Sequence, residues 1–204
     1  MFGIDLGITV SSITCTNERN EIVDNFIIFG DVTNKDSWQR VLDMTEHIVD
    51  SIHNLCKAKI GVYIEPLVSI EEPVFSYRVR NYISYFNLSC LYALTRNKLS
   101  TRGFTIYSIN PQTAKYYAKQ VVGNKRLSEK LANRGRLTKK GMIYAFKKLV
   151  GHEPNYSNQI GRETLADSFF IAKAGIEKRR IELNVGSKRS NTKASLQADE
   201  DEVS

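Results

Sequence analysis

The chain opens with Met1-Phe2-Gly3-Ile4-Asp5-Leu6-Gly7, an apolar stretch with a single carboxylate inside it. Such a run of apolar residues, broken by glycines, is typical of a short strand followed by a tight turn. A carboxylate in an apolar strand is costly to desolvate unless a positive charge compensates it. The stretch therefore predicts the first strand of a sheet and marks Asp5 as a candidate functional residue.

The remaining sequence predicts a hairpin followed by alternating helices and strands. Residues 1–16 form a strand with a glycine turn inside it, residues 21–29 the returning strand, and residues 30–32 a further short strand. Ser37 is the expected N-cap of the first helix. Helices are expected at 38–55, 75–94, 112–122, 141–150 and 162–183, and strands at 60–68 and 103–109. This order predicts an α/β fold with antiparallel strands first and crossover connections afterwards.

Length and composition are those of one folded domain with a polar tail. The chain has 204 residues, 42% of them hydrophobic, and a net charge of +7. We place the domain at 1–185 and a disordered polar and acidic tail at 186–204, where apolar residues become rare. The basic excess favours a polyanionic partner such as nucleic acid.

The termini and cysteines indicate an intracellular protein. Cys15, Cys56 and Cys90 are far apart and form no CxxC pair, so neither a disulfide framework nor a zinc site is expected. The first residues do not resemble a signal peptide, and no apolar run reaches the ~18 residues of a membrane span.

Two more acids interrupt apolar stretches, as Asp5 does. Glu65 follows Val62-Tyr63-Ile64, and Asp167 lies in the apolar centre of the last predicted helix. Each acid alone is better explained by exposure at an edge or on a helix face, but three on separate elements suggest one cation site. Glu163 lies one helical turn before Asp167 and would add a fourth carboxylate. Oxygen ligands favour Mg²⁺, with Mn²⁺ able to substitute, and two such ions about 4 Å apart are suited to phosphodiester hydrolysis.

The order and spacing of these motifs resemble the RuvC-type Holliday-junction resolvases of the RNase H-like superfamily, and especially their poxvirus and mitochondrial members. The resemblance covers about residues 1–180. It is carried by Gly3-Ile4-Asp5-Leu6-Gly7, Val62-Tyr63-Ile64-Glu65-Pro66, Ile109-Asn110-Pro111-Gln112-Thr113-Ala114-Lys115, Thr138-Lys139-Lys140-Gly141-Met142 and Leu165-Ala166-Asp167-Ser168-Phe169.

This resemblance implies a fold, an activity and a set of site residues. The fold would be a mixed five-stranded sheet, with three antiparallel strands and then parallel ones, flanked by helices. The protein would be a homodimeric, Mg²⁺-dependent endonuclease that nicks four-way or other branched DNA, leaving 5′-phosphate and 3′-hydroxyl ends. The implied metal ligands are Asp5, Glu65, Glu163 and Asp167, with Lys115 and Lys139 at the scissile phosphate. The family has a second aspartate near the last one, and here either Glu163 or Thr164 holds that position.

Further basic and aromatic residues are candidates for DNA contact. The segment 123–137 is rich in Lys and Arg, and we interpret it either as a phosphate-contacting loop or as a solvated insertion. Phe75 and Tyr77 are candidates to wedge a junction, although aromatic residues at such spacing more often pack in a core. The other expected DNA-binding residues are Lys115, Lys119, Lys125, Arg126, Arg134, Arg136, Lys139 and Lys140.

Two other functions remain open at this point. The opening motif also resembles the phosphate loop of actin-like and sugar-kinase ATPases, but those proteins need a second such motif, and the chain offers none. A nucleic-acid-binding protein that kept the fold and lost catalysis is the second alternative. A viral or phage source is compatible with the poxvirus-like motif, and so is a cellular one.

Overall fold

The structure is a computed structural model that describes residues 1–17, 19, 21–31, 33, 36–58, 67–74, 82–133 and 136–201, without the side chains of Arg126 and of 186–201. Its strands are β1 (Phe2–Asp5), β2 (Val10–Thr16), β3 (Ile22–Phe29), β4 (Leu67–Glu71), β5 (Thr105–Ile109), β6 (Ala132–Asn133) and β7 (Arg136–Leu137). Its helices are α1 (Ser37–Ala58), α2 (Tyr82–Thr101), α3 (Pro111–Val122), α4 (Lys125–Lys130), α5 (Lys139–Val150) and α6 (Gln159–Asp201).

The main sheet has five strands in the order β3-β2-β1-β4-β5. β1 pairs with β2 and β2 with β3 in antiparallel fashion, while β4 and β5 run parallel to β1. This confirms the predicted α/β fold with a mixed sheet, three antiparallel strands first and parallel strands afterwards.

Several predicted boundaries were wrong. The opening stretch 1–16 is two strands rather than one, because the glycine turn reverses the chain before Val10. Gly30 and Asp31 are not in a strand. The cap of α1 is Asp36, whose Oδ1 accepts a hydrogen bond from the Trp38 amide at 2.9 Å, and Ser37 is already helical. The described part of the fourth strand is Leu67–Glu71, whereas 60–68 was expected.

Strand alternation gives the sheet two different faces. Phe2, Ile4, Ile13, Val68 and Ile70 are all buried in a core that also contains residues of α1 and α2. The residues between them are small or polar, and they face α6: Gly3, Asp5, Ser12, Thr14, Ser69 and Glu71. The period of two therefore separates an apolar face from a face suited to close contact and chemistry.

Helix α6 approaches the sheet to backbone contact. A Cβ added at Gly3 would lie 2.1 Å from the Ser168 carbonyl oxygen and 2.4 Å from the Ala172 nitrogen. Two hydrogen bonds fix the same approach: Ser12 Oγ donates to the Thr164 carbonyl at 2.7 Å, and Thr14 Oγ1 bonds Ser168 Oγ at 2.7 Å. The position and rotation of α6 are thereby set against β1 and β2.

The polar segment 123–137 is an ordered element rather than a loop. It forms the short helix α4 and a hairpin of β6 and β7. Leu127, Leu131 and Leu137 pack into a second core with residues of α3, α5 and α6. Thr138 ties the hairpin to α5, because its amide and its hydroxyl both donate to the Leu131 carbonyl at 2.9 Å.

Helix α6 extends past the predicted domain boundary at residue 185. Residues 181–185 are exposed, and the helix continues to Asp201. The disordered tail at 186–204 was expected where the structure has helix as far as Asp201, and the domain boundary at 185 stays a prediction. Cys15, Cys56 and Cys90 form no disulfide in the part of the chain that the structure describes. No helix in the described ranges is long and apolar enough to cross a membrane.

Gly3→Ala tests the close packing of α6 on β1. The added methyl group meets backbone atoms, which cannot rotate aside, so we expect a loss of about 3 kcal/mol in the free energy of unfolding. Gly103→Ala is the reference, since it has open space and only the cost of a positive φ, about 1 kcal/mol. Urea denaturation measures both, and equal losses would contradict the close contact.

Candidate active site

Three carboxylates from separate elements line one cavity. Asp5 is the last residue of β1 and Glu71 the last of β4, and the parallel register Ile4↔Ile70 brings both to the same sheet edge. Asp167 reaches them from α6. They line a cavity of about 230 Å³ together with Lys115 and Lys139, and Pro111, Ala114 and Met142 complete its wall. The predicted convergence of Asp5 and Asp167 on one site is therefore present in the structure.

The two lysines lie near the N-termini of helices that line the cavity. Asn110 caps α3 by accepting a hydrogen bond from the Gln112 amide at 2.9 Å, which places Lys115 in the second turn. Thr138 caps α5 by accepting from the Gly141 amide at 3.2 Å, and Lys139 follows directly. Helix N-termini carry partial positive charge, so both helices add to a potential that favours anions.

Lys139 connects Glu163 to the cavity. Its Nζ lies 3.7 Å from Glu163 Oε2 and 3.7 Å from Asp167 Oδ2. Gln159 Nε2 donates to the other Glu163 oxygen at 2.8 Å. Thr164 points elsewhere, since it is buried and donates to the Ile160 carbonyl at 2.6 Å. Of the two candidates for the fourth position, Glu163 is the one that faces the site.

Burial and mutual repulsion raise the pKa of all three cavity carboxyls. Desolvation is the main cause of the pKa of Asp5 being well above its ordinary value, and the charges of Asp167 and Glu71 add to it. The same causes, burial and then Asp167, raise the pKa of Glu71 to about 7. Burial raises the pKa of Asp167 as well, although Lys139 and Lys115 oppose the rise. Burial and repulsion therefore disfavour the ionised forms of these acids when no cation is bound.

The chemistry of the donors fits a hard divalent cation. The cavity wall offers carboxylate oxygens and neither cysteine nor histidine, which favours Mg²⁺ or Mn²⁺ over zinc. Within the described residues, no group of three or more His, Cys, Asp or Glu side chains is yet arranged to hold a metal ion. The three carboxylates nevertheless line the same cavity, so the residue types present fit such an ion.

The carboxylate beside Asp5 is Glu71, a residue that the sequence did not single out. Glu65, to which the sequence analysis gave this role, lies outside the described residues. The signal for Glu71 was present, since Leu67-Val68-Ser69-Ile70 is another apolar run that ends in an acid. Ser69 makes that run less apolar. It packs against Gly175 of α6, where an added Cβ would lie 1.7 Å from the Ser69 hydroxyl oxygen.

The basic residues divide into exposed ones and ones with partners. Lys147 pairs with Glu153 at 3.3 Å, and Lys148 donates to the Val122 carbonyl at 3.0 Å, so both have structural roles. Arg134, Phe75, Tyr77 and the side chain of Arg126 lie outside the described residues. The expected DNA-binding residues with exposed side chains on α3, α4, β7 and α5 are Lys119, Lys125, Arg136, Lys139 and Lys140.

The fold is similar to that of solved Holliday-junction resolvases. Thermus thermophilus RuvC in complex with a Holliday junction substrate has a TM-score of 0.57 at 14% identity, covering 88% of this chain and 94% of RuvC. A second Thermus thermophilus RuvC structure has a TM-score of 0.55 at 17% identity, with coverage of 86% and 96%. The yeast mitochondrial Holliday junction resolvase Ydc2 has a TM-score of 0.53 at 14% identity, with coverage of 86% and 76%.

These similarities confirm the RuvC-type, RNase H-like fold that the sequence motifs predicted. No protein-family model and no curated protein matches the chain. At such low identity the likeness concerns the fold, and the chemistry has to be argued from the cavity itself.

Glu71→Gln tests the electrostatic strain of the cavity. The pKa of Glu71 rises from 4.5 to about 7 on folding, so the native state binds its proton more tightly and loses stability as pH rises through 7. The glutamine variant lacks this loss. We expect its advantage in free energy of unfolding over wild type, without divalent cations, to be about 2 kcal/mol larger at pH 8 than at pH 5.

Chemical denaturation at the two pH values measures this difference. Glu72→Gln is the matched control, because it removes the neighbouring acid, which does not line the cavity. The electrostatic account fails if the two variants show the same pH dependence.

Proposed function

We propose that the protein is a Holliday-junction resolvase, a metal-dependent endonuclease that nicks four-way or closely related branched DNA during recombination and repair. The observation that carries this proposal is the convergence of Asp5, Glu71 and Asp167 with two lysines at one edge of a RuvC-type sheet. Such a cavity combines ligands for hard cations with ammonium groups for a phosphate.

The residues of the chain have separate roles in this reaction. Asp5, Glu71 and Asp167 would hold Mg²⁺ or Mn²⁺, with Glu163 as the fourth ligand. When bound, such ions supply Lewis-acid polarisation of the phosphate and a water of lowered pKa. Lys115 and Lys139 stabilise the negative charge that develops on the phosphate oxygens. In-line attack by water then leaves 5′-phosphate and 3′-hydroxyl ends.

The ordered hairpin extends the basic surface away from the cavity. Lys125, Lys130 and Arg136 are exposed on α4 and β7, and Lys139 and Lys140 follow directly in the chain. Because Thr138 joins hairpin and α5 through two hydrogen bonds, these charges are held in a fixed relation to the cavity. Contacts of this kind fix the register of a DNA backbone without reading its sequence.

A second copy of the chain would complete the enzyme. Tyr82, Ile83 and Phe86 are exposed by 67%, 68% and 61% on the first turns of α2, an unusual group of apolar side chains for a free surface. We propose that this face forms a twofold homodimer. Two opposed sites match the twofold symmetry of a four-way junction and allow paired nicks in opposite strands.

The main rival is a binding protein that has lost catalysis. The strained carboxylates favour the enzyme, because a protein that only binds DNA gains nothing from acids that repel its phosphates. Calorimetry with Mg²⁺ separates the two, since a binding protein would lack a carboxylate-dependent metal site. We keep the expectation of an intracellular location as part of the proposal.

Cleavage of labelled four-way junctions tests the function. With Mg²⁺, we expect wild type to nick the junction in preference to linear duplex, and Asp5→Asn or Glu71→Gln to lower the rate at least ~100-fold. Glu65→Gln is the matched comparison, because it makes the same substitution at the glutamate that the sequence analysis named as a metal ligand. We expect it to cost far less than Glu71→Gln.

The outcomes separate the assignments. Loss of cleavage in Glu65→Gln with normal activity in Glu71→Gln would return the ligand role to Glu65. Equal cleavage by wild type and Asp5→Asn, or no cleavage of any branched substrate, would refute the nuclease proposal.

The hairpin charges are tested by salt dependence of binding. We expect Lys125→Ala with Arg136→Ala to lower the slope of log affinity against log salt by roughly two, about one per phosphate contact. Cleavage at saturating protein should change little. Lys57→Ala, at the end of α1, is the control for loss of a distant positive charge. If the double variant has the same salt dependence of binding as wild type, the segment 123–137 is a solvated insertion that does not contact DNA.

A further inference from the structure

The ammonium of Lys139 lies where a cation is needed. It is 3.7 Å from oxygens of both Glu163 and Asp167, which is the distance of ion pairs rather than of hydrogen bonds. Its side chain is 61% exposed, whereas those of Glu163 and Asp167 are 21% and 18% exposed. Charge rather than packing therefore holds the ammonium between two mostly buried acids.

When every acid around the cavity has lost its proton, the charges there do not balance without a divalent cation. Four carboxylates face two ammonium groups: Asp5, Glu71, Glu163, Asp167, Lys115 and Lys139. When all are ionised, two negative charges remain, and one divalent cation neutralises them. A second divalent cation would leave an excess of positive charge in a partly buried site, where unbalanced charge is costly.

We propose that Lys139 occupies the place of a second divalent cation, between Glu163 and Asp167, until a DNA phosphate enters the site. In the DNA-free protein the cavity then accepts one divalent cation, held by Asp5, Glu71 and Asp167. An arriving phosphate offers the Lys139 ammonium a new anionic partner, and its one negative charge halves the excess of positive charge that a second divalent cation would leave. This inference rests on the proposed nuclease function, because it assumes that the carboxylates bind metal.

Lys139 thus links metal loading to the presence of substrate. While it pairs with Glu163 and Asp167, the two-cation arrangement suited to phosphodiester hydrolysis cannot assemble. When it leaves them, the same ammonium is available to the phosphate that displaced it. One side chain would serve as counter-ion in the resting protein and as phosphate ligand in the complex.

Titration with Mn²⁺ alone, without DNA, tests the proposal. At pH 8, electron paramagnetic resonance of free Mn²⁺ gives the number of ions bound per chain. We expect about one for wild type and about two for Lys139→Met, with the second ion bound about tenfold more tightly than any weak second ion in wild type. Lys147→Met removes another lysine of α5, one that pairs with Glu153, and should bind as many Mn²⁺ ions as wild type.

Two further variants keep the result interpretable. Lys139→Arg retains the positive charge, so it should bind about one Mn²⁺ ion, as wild type does. Lys139→Gln replaces Lys139→Met if the methionine variant does not give a native circular dichroism spectrum. Wild type that already binds two ions, or a Lys139→Met variant that binds the same number as wild type, overturns this inference while the nuclease proposal stands. If no variant binds Mn²⁺, and wild type cleaves no junction, both proposals fall.

Discussion

Helix α6 meets strand β1 by backbone contact at Gly3, and this contact determines where the side chains of the helix lie against the sheet. No side chain separates the two elements there, and the Ser12 and Thr14 hydroxyls fix the helix at the same level. Asp167 is one residue before the Ser168 that meets Gly3 and Thr14. The position of the Asp167 carboxylate near Asp5 is therefore fixed by the backbone of α6.

Such closeness has an electrostatic cost, which falls on the carboxyl groups of the cavity. Bringing Asp167 to Asp5 and Glu71 raises the pKa of each carboxyl, because burial and repulsion both disfavour the charged forms. The N-terminal turns of α3 and α5 and their lysines reduce this cost without removing it. Stabilising packing on one side of the sheet thus supports a strained group of acids, as is common where a protein performs chemistry.

Much of the fold and half of the site could be predicted from the sequence. Asp5 and Asp167 were found because an acid in an apolar run is physically conspicuous, and the strand and helix periods gave the order of the elements. Glu71 was missed because two apolar stretches that end in a glutamate follow each other, at 62–65 and 67–71. Ser69 makes the second stretch less apolar than the first. Ser69 packs against Gly175, more than a hundred positions later, and no local pattern reveals this contact. The helix α4 and the hairpin of β6 and β7 were missed for a similar reason. Three leucines of this polar segment pack against a core formed by residues of α3, α5 and α6 that are distant in the sequence.

The two faces of the sheet should accept evolutionary change very differently. On the side of α1 and α2, large side chains meet one another, and one hydrophobic residue can replace another if total volume is kept. On the side of α6, the helix lies close to the sheet because Gly3 and Gly175 have no side chain. A methyl group added at either position would push the helix away and alter the distances between the carboxylates. Sequences that diverge from this one are then free to drift on the first face while the second stays small and polar. A search for distant relatives would do better to weigh these inconspicuous glycines, serines and threonines than the apolar core that dominates ordinary sequence comparison.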